Sequence, residues 1–164
     1  MVLKLIMALA ILLGSETVFA GERPPLAVAL KLDAFKDGLR LCSRPVPKEI
    51  TSYWEVRQIE VVRIDAALKR FAKQGGLKPR IGMPLDLSFY GRQYLGLTSG
   101  GRRVVYINAF PAAPDVRGSK ARTQLVDECE GGLFWGVEYD VESRSFRNFS
   151  MNRTECKVPL LLNP

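Results

Sequence analysis

The chain has 164 residues, 47% of them apolar, carries a net charge of +7 and contains no histidine. That absence excludes the Ser-His-Asp triad, the Cys-His pair, imidazole metal sites and histidine acid–base chemistry, leaving carboxylate, lysine or tyrosine catalysis as the residual options. The basic surplus is scattered, with no run longer than Arg102-Arg103, which argues for solubility rather than for a nucleic-acid stripe.

The first twenty residues fit a signal peptide. Lys4 gives a positive start, residues 5–13 form an apolar core, and Val18-Phe19-Ala20 is a small-x-small cleavage signal. The apolar run is shorter than the roughly 20 residues a spanning helix needs, so no stable membrane span is expected after cleavage. Removal of residues 1–20 leaves about 144 residues, enough for one domain with its own core. The expected location is periplasmic or secreted, an oxidising compartment.

Residues 21–50 form an N-terminal arm. Pro24-Pro25 starts it extended. Residues 26–35 suit either a short helix or a strand, because the alternating Leu26, Val28, Leu30 and Leu32 compete with three alanines. The main domain is placed at residues 51–158, with a tail at 159–164. Its one helix is predicted from a capping box at Ser52 and Glu55, or one turn later if Tyr53-Trp54 ends a strand. Trp54, Val61, Ile64, Leu68, Phe71 and Ala72 make the apolar stripe, and Gln74-Gly75-Gly76 ends the helix. Asp65 lies at the stripe's edge. It is read as an exposed i+4 partner of Lys69, with a buried carboxylate as the alternative.

Residues 85–110 are predicted as a hairpin about the Gly100-Gly101 turn. The register follows: Leu97 faces Val104, Leu95 faces Tyr106, and Gln93 faces Asn108. Tyr90, Arg92 and Tyr94 share the other face with Val105, Ile107 and Ala109. An exposed connection at 111–119 follows. Residues 123–139 read as a long strand with a bulge at Gly131-Gly132. A turn near Glu142-Ser143 then leads to a last strand at 144–151. One amphipathic helix on a curved four-stranded antiparallel sheet is the expected α+β fold, cystatin-like in outline.

Three strand motifs carry a family resemblance: Tyr90-Gly-Arg-Gln-Tyr-Leu-Gly, Tyr106-Ile-Asn-Ala-Phe110, and Cys129-Glu-Gly-Gly-Leu-Phe-Trp-Gly-Val-Glu-Tyr-Asp140. Over residues 54–152 the chain resembles a family of small exported bacterial proteins of uncharacterised function. Their pattern is R-Q-Y, I-N-[AG]-F, and C-D-G-G followed by F-W-x-V-x-Y-D. Glu130 stands where that pattern has aspartate. The resemblance implies a cystatin-like shape and no activity.

The same residues suggest a polar patch on the sheet. Arg92, Gln93, Asn108, Glu130 and Glu138 are framed by Tyr90, Tyr94, Tyr106 and Trp135. Convergent polar groups among aromatics suit a ligand or peptide site. The competing reading pairs Arg92 with Glu138 across the sheet and treats the tyrosines as half-buried sheet residues.

Three cysteines, Cys42, Cys129 and Cys156, cannot all pair within one chain. A two-residue turn at Glu142-Ser143 would set Cys129 opposite Cys156, with a Cys42–Cys129 bridge as the alternative. Carboxylates flanking Cys129 disfavour a nucleophilic thiolate, and the spacings match no thiolate metal template. The expectation is a non-enzymatic binding or interaction domain of the cell envelope, with a protein or envelope component as partner and no cofactor or metal. The alternatives are an inhibitor of an envelope or host hydrolase, or a small-molecule carrier with a pocket between helix and sheet.

Overall fold

The computed structural model describes residues 26–35, 39, 41, 44–79, 86–112, 120–126 and 133–152. The predicted signal peptide, Glu130, all three cysteines and the tail lie outside the described residues, so the disulfide expectation does too.

The centre of the fold is the hairpin of β3 (Tyr90–Ser99) and β4 (Arg102–Pro111). Gly100 and Gly101 take φ values of +54° and +73°, the left-handed pair that a tight turn requires. Leu97 pairs with Val104, Leu95 with Tyr106 and Gln93 with Asn108, in the register read from the sequence. β5 (Trp135–Asp140) adds to β4, and β6 (Ser145–Met151) adds to β5, both antiparallel.

The other edge of the hairpin is shared. β1 (Ala27–Ala29) runs parallel to the first half of β3, against Arg92, Gln93 and Tyr94. β2 (Ile50–Trp54) runs antiparallel to its second half, ending with Trp54 opposite Gly96. The sheet therefore has six strands and is mixed, which corrects the expected four-stranded antiparallel sheet. The cystatin-like outline is not matched. The reason is the arm: three residues of it become a parallel strand, a long-range pairing that leaves no local pattern in the sequence.

α1 (Gln58–Lys73) starts one turn after the predicted capping box, because Tyr53-Trp54 completes β2. Its cap is formed by Arg57 and Glu60: the Arg57 backbone N–H donates to Glu60 Oε2 at 2.9 Å. Gly75 ends it at φ +73°. Val61, Ile64 and Leu68 are buried against Tyr94, Val105, Ile107 and Val137, with Phe71 packed alongside. These side chains fill the middle of the gap between helix and sheet, around Asp65.

The predicted strand at 123–139 is shorter than expected. Lys120–Thr123 is a helical turn, α2, and the strand begins only at Trp135. The turn before β6 spans four residues, with Asp140 Oδ1 accepting from the backbone N–H groups of Glu142 and Ser143 at 3.1 and 3.0 Å. The ladder keeps the expected register at Glu138–Arg147, then slips by one before Gly136–Ser150. This irregularity falls beside Asn148, at φ +54°, and the bulge expected at Gly131-Gly132 lies outside the described residues.

The sheet face away from α1 is also covered. Leu30 and Leu39 of the arm pack on Leu95, Leu97, Val104 and Tyr106. Ala121 of α2 packs on Phe110 and Phe134. Among the described residues, no helix is long and apolar enough to cross a membrane.

Candidate functional site

Strand alternation divides the predicted patch between the two faces of the sheet. Tyr90, Arg92, Tyr94 and Trp135 face α1, while Gln93, Tyr106, Asn108 and Glu138 face the arm. Arg92 and Glu138 are therefore not a pair.

On the helix side, Arg92 is fully buried and bonded to Asp65. Its Nε donates to Asp65 Oδ1 at 2.6 Å, and its Nη1 donates to the Leu87 and Tyr90 carbonyls, each at 2.7 Å. Tyr94 Oη donates to the same Asp65 oxygen at 2.6 Å, and Lys69 Nζ lies 2.9 Å from Oδ2. Burial pushes the Asp65 carboxyl up, but the Arg92 charge and the bonds from Tyr94, Arg92 and Lys69 outweigh it and hold the group below its ordinary value. Burial, with the Asp65 charge, pushes the Tyr94 hydroxyl well above its own. Asp65 is thus the buried carboxylate that was the sequence's second reading, with Lys69 as one of three partners. This cluster is closed: each polar group has its partner, and the whole works as a buried clasp between helix and sheet.

On the arm side, Gln93 and Asn108 hold loop backbone. Gln93 Nε2 donates to the carbonyls of Ala121 and Gln124 at 2.8 and 2.6 Å, and its Oε1 accepts from Val126 N–H at 3.0 Å. Asn108 Nδ2 donates to Gln93 Oε1 at 2.9 Å and to the Val126 carbonyl at 2.7 Å. Both amides are fully buried and saturated, so they pin the 121–126 segment to the sheet and are closed to an outside ligand.

Arg44 extends this network to the arm. Its guanidinium donates to Asn108 Oδ1, to Asn152 Oδ1 and, through Nε at 2.9 Å, to Tyr106 Oη. Gly136, opposite Asn108, leaves the space. A Cβ there would lie 2.0 Å from Tyr106 Oη and 3.1 Å from Arg44 Nε. No local pattern marks Arg44, which lies 62 residues from Tyr106.

Tyr106 and Glu138 reach an open cavity. It is a cleft of about 750 Å³ on the arm side of the sheet. Lys48 and Glu49 of the arm form one wall, and Arg147, Asn148, Phe149 and Ser150 of β6 form the other. The hairpin turn, with Gly100 and Arg102, closes one end. Tyr106 and Glu138 make the floor. Arg147 Nε holds Glu138 Oε2 at 3.0 Å, and its Nη1 lies 3.2 Å from Asp140 Oδ2. The floor is thus preset by Arg44 beneath Tyr106 and Arg147 beside Glu138. Lys48 and Arg102 project at the rim, both exposed. Arg147 was within reach of the sequence: the expected turn at Glu142-Ser143 already sets 138 against 147.

Among the described residues, no group of three or more carboxylates or thiols could hold a metal ion. No family model, curated protein or solved structure matches this chain.

Proposed function

We propose that this chain is an exported, non-enzymatic binding domain of the cell envelope, and that it meets its partner, a protein or envelope component, through the cleft between the arm and β6. The observation that carries this reading is the preset floor. Tyr106 is fixed by the buried Arg44 and Glu138 by the half-buried Arg147, so a partner meets polar groups already in place and little ordering entropy is lost. The volume is within the range of ligand sites, and the lining mixes apolar, charged and amide groups as such sites do. Glu138 is engaged by Arg147, and histidine is absent from the sequence, which favours recognition over acid–base chemistry.

The test is capture from native envelope extract by immobilised protein lacking residues 1–20. A partner retained at micromolar protein, and released by the rim variant Lys48→Glu/Arg102→Glu with unchanged circular dichroism, supports the reading. An extract from which nothing is retained, or equal retention by the rim variant, contradicts it.

A further inference from the structure

A second cavity lies on the opposite face of the sheet, beside α1 and close to the β5–β6 turn. Its volume is about 470 Å³. Ile64 borders both this cavity and the core. The floor is apolar and aromatic: Ile64, Val105, Val141, Trp54 and Tyr139. The rim is cationic. Arg63 and Arg70 stand two turns apart on α1, with the small Ala67 between them. Arg144 faces them from the turn, held there by a left-handed φ of +52°.

One carboxylate, Glu60, shares the lining, and it is already engaged by the Arg57 guanidinium and backbone N–H. Arg63, Arg70 and Arg144 have no ion pair or side-chain hydrogen bond among the described residues. A fourth guanidinium, Arg103, stacks 4.2 Å above the Trp54 ring beside the cavity. The side chains are long and exposed, so the three heads can converge on one anionic group while apolar matter fills the floor.

From this we infer that the cavity between α1 and the β5–β6 turn is a binding site for a small amphipathic anion, a phosphate or carboxylate attached to an acyl or aromatic body. The anion is held by Arg63, Arg70 and Arg144, and the apolar body lies on Trp54 and Tyr139. Charge complementarity selects this ligand class: an uncharged apolar ligand would leave three guanidiniums over it, and a cation would be repelled. The site is separate from the arm-side cleft, and the two readings stand or fall independently.

The experiment uses the protein lacking residues 1–20 and carrying Trp135→Phe, so that Trp54 is the sole tryptophan reporter. Octyl phosphate, well below its micellar concentration, is titrated while Trp54 fluorescence is followed. Inorganic phosphate tests the headgroup alone, and octanol tests the apolar body alone. The expected result is saturable binding of octyl phosphate, weakened about tenfold by Arg70→Gln and further by Arg63→Gln/Arg70→Gln, and weakened again by added salt. Inorganic phosphate and octanol are each expected to bind more weakly by about tenfold or more. Circular dichroism and urea midpoints of the arginine variants should match the parent, since both residues are exposed. If octanol binds as tightly as octyl phosphate, if the double variant binds as tightly as the parent, or if no saturable change occurs, the inference is wrong. Inorganic phosphate binding as tightly as octyl phosphate would show a bare anion site and would equally overturn the amphipathic assignment.

Discussion

Arg92 of β3 reaches across the core to Asp65 of α1, with Nε 2.6 Å from Oδ1 and both side chains buried. Removing the carboxylate strands a buried guanidinium that cannot shed its charge. Asp65→Ala is expected to cost about 3–5 kcal/mol, the range for breaking a buried pair from one side. Replacing both residues with apolar ones of similar volume should cost distinctly less. Urea denaturation of the two single variants and the double variant gives the coupling energy. Additive effects would show that the pair is not coupled.

The Asp65 interaction also sets an acid limit. Its carboxyl titrates lower in the folded protein than its ordinary value of 3.8. A depressed carboxyl contributes stability that is present above the unfolded value and lost as pH falls through the folded one. Stability should therefore be insensitive to this group near neutrality and should decline below about pH 4. Asp65→Asn, already destabilised at pH 7, should show a shallower decline. Thermal melts from pH 7 to pH 2.5 report it. Parallel curves for the two proteins would assign the acid limit elsewhere.

Gly136 keeps the arm in place by having no side chain. A Cβ there would collide with Tyr106 Oη and press on Arg44. Gly136→Ala is expected to cost about 1–3 kcal/mol through overpacking. Tyr106→Phe on that background should not recover the loss, because the Cβ would still lie 2.6 Å from the ring Cζ and the buried Arg44 Nε would lose its acceptor. Hydrogen exchange in the 44–50 segment should rise in Gly136→Ala. Unchanged exchange there would separate Gly136 from the arm.

Trp135 is fully buried, and its indole N–H has no hydrogen-bond partner among the described residues. It packs edge-on to Tyr90 at 5.6 Å and tilted against Phe149 at 5.8 Å. Trp135→Phe loses ring volume but removes an unsatisfied donor. The two terms oppose, and stability should stay within about 1 kcal/mol of the parent. Trp135→Ala should instead cost about 3–5 kcal/mol. Chemical denaturation distinguishes these outcomes. A large loss in the phenylalanine variant would mean that the N–H has a partner.

The hairpin was legible because its determinants are local. Gly100-Gly101 fixes the turn, the turn fixes the register, and alternation then assigns Arg92 and Gln93 to opposite faces. The same arithmetic places Arg147 on Glu138. The arm was not legible. β1 pairs with residues about 65 positions away, and Arg44 finds Tyr106 and Asn108 across similar distances, so no window of sequence contains both partners. Asp65 shows the limit at a single residue. Its spacing to Lys69 is a true i+4 pair, but Arg92 and Tyr94 approach from another element and turn a surface-type pair into a buried one. The same alternation that sets the hairpin divides the described residues of the predicted patch between the two faces of the sheet.

Photo-crosslinking in the native compartment probes the arm-side cleft as the proposed recognition surface. A photoreactive residue is placed at Lys48 or Asn148 on the cleft walls, and at Val62 on the exposed face of α1 as the control. One discrete crosslinked species is expected from both cleft positions, lost with Lys48→Glu/Arg102→Glu when the probe is at Asn148, and none from Val62. Crosslinks from Val62 with none from either cleft wall would contradict the proposal.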